Sequence, residues 1–388
     1  MSKNIIFCAD GTCNGPGEAD DVLLPADTNV FKLYAQLCST PSVDPNADEQ
    51  ESSQSDAAGN IVQSARYIYG VGANTNPIGT LFGGAIGGGL AARIVRGYTY
   101  LSRVYDPGDN IFLVGFSRGA YTVRALAGLV LFSGLMDRTT YDPADQTAAY
   151  TLGAGAWYRY QHTVAVNGGW LGDFDKFIAG LPDIFSTPPA KYVQIPAIQA
   201  IGVWDTVGSY LLDAAASDDG DRIDLLPLAN TKLSTDVQRG FQAISLDERR
   251  NVFTPIPWNA ATNVVQAFFP GGHCDVGGGY AETGLSDIAL NWMLAKLKGQ
   301  GLLLYPSILV KPVPDPAGPA HQQWLYLPWT NPIFTLSARD FSGRQDIVAD
   351  PSITLREAAG TVVFDTGTSG KPALLGPTKG IYRPANLP

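Results

Sequence analysis

The segment Asn110–Ser133, NIFLVGFSRGAYTVRALAGLVLFS, constrains the chain more than any other. Its opening residues, Asn110–Gly115, carry a nearly unbroken apolar run, which leaves no wet face. Such a strand must be covered on both sides, as in parallel sheets. The run passes through Phe116-Ser117-Arg118-Gly119 into apolar residues with helical spacing, roughly Ala120–Ser133. Gly115 and Gly119 therefore bracket Ser117 in a G-x-S-x-G pattern. Glycines at these positions let neighbouring backbone close in without a Cβ clash and leave the hydroxyl exposed on a tight turn. The bare pattern recurs by chance; the strand before it and the helix after it give it meaning.

The flanking sequence repeats this alternation. Asn4–Ala9 reads as a strand ending in Asp10-Gly11-Thr12, followed by a loop over 13–29 and a helix over Asn29–Cys38. Residues 39–60 are polar and read as a surface loop. Ala65–Val71 is a strand, and the Gly-rich run 79–90 leads into a helix reaching about Tyr105. Val193–Trp204 is a strand ending at Asp205, Asp236–Ser245 has helical spacing, Asn263–Phe269 is a strand, and Ser286–Lys298 a helix. The pattern predicts an α/β fold: a mostly parallel central sheet with helices on both faces. Its 388 residues fit one domain, 1–388. Within it, 138–190 is an irregular, aromatic, lid-like insertion. Residues 300–388 form a Pro-rich extension packed on the domain, with strand-like pieces at Ile333–Ala338 and Thr361–Phe364.

Parallel sheets bind ligands at the carboxyl ends of their strands. Asp10, Ser117, Asp205 and His273 all fall at such ends, so residues distant in sequence converge on one rim. A serine hydroxyl is a weak nucleophile without an adjacent base. Of the three histidines, His162 lies in the aromatic insertion and His321 in the tail, whereas His273 follows a strand within FFPGGHCDVGGGY. The base must in turn be oriented by an acid. Asp205 ends a strand and gives the chain order Ser, Asp, His of the α/β-hydrolase class. Asp275 is the alternative acid, and a helix cap is the alternative role for Asp205. The Arg118 N–H, with Gly11 or Thr12 from the Asp10 turn, would form the oxyanion hole, and Asp10 itself is a candidate substrate contact. A plain turn explains Asp10-Gly11-Thr12 nearly as well.

Other classes are disfavoured. The net charge of −10, without a Lys/Arg cluster, argues against nucleic acid. Cys8, Cys13, Cys38 and Cys274 match no zinc spacing, and a Cys8–Cys13 pair would need an oxidising compartment. No metal or cofactor is expected. The Gly-rich run 79–90 lacks the Gly-Lys-Ser/Thr ending of a phosphate-binding loop. The N-terminus lacks a signal-peptide pattern, so the chain is expected to be made as a soluble cytoplasmic protein, any export using another route.

Taken together, FCADGTCN (7–14), GFSRGAYTVRALAGLV (115–130), GVWDTVGS (202–209), SLDERRNVFTPIPW (245–258) and FFPGGHCDVGGGYAETGLSDIALNWM (268–293) resemble the α/β-hydrolase domain of type VI secretion lipase effectors. The resemblance implies Ser117, Asp205 and His273 as a triad and phospholipase activity on lipid esters. It also implies transient membrane contact, export by a type VI system, and an immunity or secretion-apparatus partner. Trp170, Phe174, Phe177, Ile178 and Leu181 recur at helical spacing and read either as an acyl-binding wall or as packing against the sheet. The leading expectation is a serine esterase or lipase acting on phospholipid or another acyl ester. The alternatives are a triad amidase or peptidase, and a binding protein on a hydrolase scaffold.

Overall fold

The structure is a computed structural model. It describes residues 2–11, 27–38, 49–69, 88–168, 191–208, 231–306, 310–325, 335–364, 378–384 and 386–387. In chain order its main elements are β1 (Asn4–Ala9), α1 (Asn29–Tyr34), β2 (Glu49–Ser55), β3 (Ile61–Ile68), α2 (Gly88–Val104), β4 (Asn110–Phe116), α3 (Arg118–Ser133), β5 (Leu135–Met136), α4 (Gln146–Gly168), β6 (Tyr192–Val193), β7 (Ile198–Trp204), β8 (Val237–Ser245) and β9 (Val264–Phe269). They continue with α5 (His273–Gly277), α6 (Gly284–Lys298), β10 (Val348–Ala349), α7 (Pro351–Ala358), β11 (Thr361–Phe364) and β12 (Thr378–Ile381).

Among the described residues, eight strands form one sheet in the order β10-β9-β8-β7-β4-β1-β3-β2. Every pairing is parallel except that of the edge strand β2 with β3. This is the α/β-hydrolase class of fold expected from the sequence. Strand alternation sends Ile5, Phe7, Ile111 and Leu113 to one face, where they pack with side chains of α2, α3 and α4. Ile6, Cys8, Phe112, Val114 and Phe116 go to the other face and meet α1 and α6. The sheet is thus dry on both sides, as the apolar run of β4 requires.

Three segments differ from the reading of the sequence. Residues 39–60 contain a strand, β2, whose sequence EQESSQS carries no apolar side chain. It sits at the sheet edge and is held partly by charge: Glu49 pairs with Arg66 at 2.6 Å and Glu51 with Arg103. Val237–Ser245 is a strand, not a helix. Val237, Phe241 and Ile244 mimic helical spacing, but the second half of the strand is buried continuously between β7 and β9. The insertion 138–190 includes the 23-residue helix α4, which packs on α2 and α3 and buries Ala154, Ala156 and Trp157 in the core. Helix α1 also stops at Tyr34, short of Cys38.

The described parts of the tail are built into the sheet edge. β10 extends the sheet beside β9, and the Asp350 N–H donates to the Phe268 carbonyl at 3.0 Å. Phe341, Ile347, Ile353, Val362 and Tyr382 pack with Ile244, Leu246 and Phe268 in a third apolar cluster.

Candidate active site

Ser117 joins β4 to α3 with φ 57° and ψ −124°. Asp205, directly after β7, has φ 37°. Among the described residues these are the two non-glycine positions with positive φ. Such backbone costs roughly 1–3 kcal/mol each and persists only where its surroundings impose it. Here the sheet ladder imposes it: the Ser117 N–H donates to the Trp204 carbonyl at 3.1 Å, and the Asp205 N–H to the Ala243 carbonyl at 2.8 Å. Glycines make the Ser117 turn feasible. A Cβ on Gly115 would stand 2.5 Å from the Gly119 carbonyl oxygen, and one on Gly119 would overlap the carbonyls of Ala9 and Asp10. The end of β1 therefore lies directly against the first turn of α3.

His273 opens α5 after a loop in which Gly271 adopts φ 101°. Its Nε2 lies 2.8 Å from Ser117 Oγ, and its Nδ1 lies 2.6 Å from Asp205 Oδ2. The ring sits between Phe116 and Phe253, with centroids 4.6 and 4.8 Å away. Its backbone N–H donates to Glu248 Oε2 at 3.1 Å. The carboxylate of Asp205 accepts three further hydrogen bonds: Oδ1 accepts from the Ser245 N–H at 3.0 Å and Arg339 Nη1 at 2.8 Å, and Oδ2 accepts from Arg339 Nη2 at 2.9 Å besides facing His273.

Charge follows from this packing. Burial would raise the Asp205 carboxyl, but the Arg339 guanidinium and the His273 contact outweigh it and hold the acid well below the usual carboxylate range. Burial likewise pushes His273 down, and its pull exceeds the opposing attraction of Asp205, so the imidazole sits below its ordinary value. Glu248 is buried, yet its two-point contact with Arg250 lowers it to about 2.

The alternative acid, Asp275, is engaged elsewhere. Its Oδ1 lies 2.7 Å from Nδ1 of His321, and its Oδ2 accepts from the N–H groups of Gly272 at 2.8 Å and His321 at 3.0 Å. His162 stacks on Tyr158 within α4. Asp10, the candidate substrate contact, is fully buried. Its carboxylate accepts from the Gly11 N–H at 2.7 Å, from Thr28 Oγ1 at 2.6 Å and from the Tyr67 hydroxyl. Burial raises this carboxyl to about 6, against those hydrogen bonds. The Gly11 N–H, a candidate oxyanion donor, is engaged by Asp10 in this arrangement. Arg118 is the first residue of α3, where backbone N–H groups lack intrahelical acceptors. Thr12, Trp170, Phe174, Phe177, Ile178 and Leu181 lie outside the described residues, as does Cys13; Cys8 is a free, buried thiol.

Arg339 carries no signal legible in the sequence alone. It lies in a stretch, 335–340, whose other residues are exposed, and nothing local marks it as a partner of Asp205.

A serine on a strained strand-to-helix turn, at the carboxyl edge of a parallel sheet and beside a histidine, is the arrangement of the α/β-hydrolases. Within that class, the chain belongs to the family described as the catalytic domain of type VI secretion system phospholipase effectors, Tle1-like, whose sequence model matches residues 3–296. It is 26% identical over 265 residues to the uncharacterized protein YEL023C of Saccharomyces cerevisiae, covering 66% of this chain and 33% of that one. Among solved structures it is similar to an uncharacterized protein from Pseudomonas aeruginosa, with a TM-score of 0.42 and 16% identity, covering 78% of this chain and 46% of the other. It is also similar to the Tle1 effector bound to the VgrG spike of the type 6 secretion system, with a TM-score of 0.34 and 15% identity, covering 73% and 52%. The chain thus spans about a third to a half of the length of these relatives.

Proposed function

We propose that the chain is a serine hydrolase that cleaves acyl esters, phospholipids foremost, through an acyl-enzyme on Ser117. The observation that carries this reading is the Ser117–His273–Asp205 contact chain, at 2.8 and 2.6 Å, on a strained serine turn. Membership in a phospholipase effector family supports the lipid substrate.

In this mechanism His273 Nε2 takes the hydroxyl proton as Ser117 Oγ attacks the ester carbonyl. Asp205 holds Nδ1–H, fixing the tautomer and stabilising the imidazolium that forms. The developing oxyanion would meet the Arg118 N–H, with a second donor proposed from the Asp10-Gly11-Thr12 turn, which starts where the Ala9 and Asp10 carbonyls lie against Gly119. The imidazolium then protonates the leaving alcohol, and water, activated by the same base, releases the fatty acid. No cofactor enters these steps. The tail is read as part of the same domain, and the Trp170–Leu181 portion, outside the described residues, is the candidate lid or acyl wall. Transient contact with a membrane, export by a type VI system, and a secretion-apparatus or immunity partner complete the proposal. Among the described residues no helix is long and apolar enough to cross a membrane.

Fluorophosphonate labelling with peptide mapping tests the nucleophile. Modification at Ser117, lost in Ser117→Ala, is expected; labelling elsewhere would refute it. Hydrolysis of phospholipid vesicles, compared with soluble acyl esters and an amide panel, then separates phospholipase from esterase and amidase.

A further inference from the structure

Asp205 is gripped by a cation that lies far along the chain, beyond the 3–296 span of the family match. Arg339 is 9% exposed although its neighbours from Thr335 to Asp340 are all exposed. Its guanidinium meets the carboxylate in a two-point contact, Nη1 to Oδ1 at 2.8 Å and Nη2 to Oδ2 at 2.9 Å. The same two nitrogens also donate to the carbonyls of Ser245 at 2.7 Å and Phe253 at 2.6 Å. The fork is therefore fixed at both ends. We infer that Arg339 is a positioning residue of the site, setting the plane of the Asp205 carboxylate so that Oδ2 faces His273, and that the C-terminal segment thereby completes the catalytic centre. This rests on the Ser117–His273–Asp205 reading.

Two physical effects follow from a planar fork on a buried carboxylate. The first is geometric. Parallel N–H···O bonds define the carboxylate plane in a way that a single point charge does not. The second is electrostatic. His273 is faced by Asp205 from the end of β7, by Glu248 and Arg250 from the segment after β8, and by the neutral Ser117 from the turn between β4 and α3. Glu248 is matched by Arg250, with Nε to Oε1 and Nη2 to Oε2 both at 2.8 Å, and Asp205 by Arg339. Each anion near the imidazole thus has its own guanidinium, and the ring stays neutral and available as a base. Without Arg339, an uncompensated anion would favour the imidazolium, which cannot accept the serine proton.

The test is Arg339→Ala and Arg339→Lys, assayed on p-nitrophenyl butyrate across pH. Rates are normalised to sites labelled to completion by fluorophosphonate, so that misfolded protein does not count. Arg339→Ala should lower kcat by roughly 10- to 100-fold with KM within about twofold. The acid limb of its pH profile should move upward by about half a unit or more. Arg339→Lys should keep the limb in place, because the charge remains, yet recover kcat only in part, because the fork is gone. A wild-type kcat per labelled site in Arg339→Ala, or a lower kcat with an unmoved limb, would overturn the inference and leave Arg339 as a tie between loops. If the alanine variant does not fold, wild-type kcat in Arg339→Lys overturns it equally. Failure of the triad reading itself would look different: wild-type protein unlabelled at Ser117, or undiminished turnover in Ser117→Ala.

Discussion

Two buried aspartate–histidine pairs stand close together in this molecule, and they do opposite things. Asp205 and His273 meet at 2.6 Å, Asp275 and His321 at 2.7 Å, and Asp275 is two residues from His273. What differs is the third partner. Asp205 is matched by the Arg339 guanidinium, and the far side of His273 faces Ser117. His321 instead meets a second carboxylate, Glu282, 3.3 Å from its Nε2, and its ring stacks on Tyr280 with centroids 3.7 Å apart. Burial pushes both imidazoles down. At His273 burial prevails, while at His321 Asp275 and Glu282 outweigh it and raise the ring above its ordinary value. A shared pair of residue types thus gives an imidazole held below its ordinary value in one place and above it in the other, decided by the neighbouring charge.

The largest effects should fall on the first pair. Ser117→Ala and His273→Ala are each expected to lower kcat on the order of 10⁶-fold, as loss of either member does in a well-studied serine protease. His321→Ala, assayed on the same soluble ester, should leave the rate per folded molecule within a few-fold. Comparable losses at both histidines would erase the distinction.

Next in size is the exchange of acids. Asp205→Asn should lower turnover by roughly 10⁴-fold, since the amide favours the wrong imidazole tautomer. Asp275→Asn should act mainly on stability, because its oxygens hold the Gly272 and His321 N–H groups rather than the base. Steady-state kinetics beside thermal unfolding of both variants decides the matter; a large kinetic loss in Asp275→Asn would reassign the acid.

How far the sequence revealed this pairing follows from where the signals lie. The turn around Ser117 is written locally: an apolar strand, two glycines and an apolar helix are contiguous. His273 and Asp205 are legible because each follows a strand, and parallel strands bring their ends to one rim. Polar β2 is not, since an edge strand needs little apolar surface, and β8 is not, since its apolar spacing imitates a helix. Nor is α4, where small and aromatic residues surround the whole helix without a distinct stripe. Arg339 and His321 reach their partners across 134 and 46 residues from irregular segments. Contacts of that kind carry no periodicity, so only the assembled tail reveals them.

A smaller effect concerns stability. His321→Ala removes one partner of a buried ion pair and is expected to cost about 3 kcal/mol of folding stability, read by urea unfolding at pH 6. The folded pKa of His321 lies above its unfolded value, so its contribution is fully present below about pH 6.5 and is lost as pH rises through the folded value. The difference between wild type and variant should therefore narrow as pH is raised from 6 towards 9. A difference that stays constant would show that packing on Tyr280, not charge, carries the effect.

The smallest effect is a displacement of the pH profile of catalysis, and it separates the two histidines most directly. His273 must be neutral to take the serine proton, so kcat/KM falls as pH drops through the free enzyme's imidazole pKa. An exposed imidazole would place this limb near 6.5. Burial between Phe116 and Phe253 lowers the His273 value, and the attraction of Asp205, compensated by Arg339, does not restore it. The limb is therefore expected below 6.5, with activity sustained into mildly acidic solution on a soluble ester, where lipid packing cannot distort the profile. His321 titrates on the other side of that value, so its protonation cannot produce a limb there. A limb above 6.5 that survives in His321→Ala would mean that the Asp205 charge dominates after all, and that the two pairs share one electrostatic character.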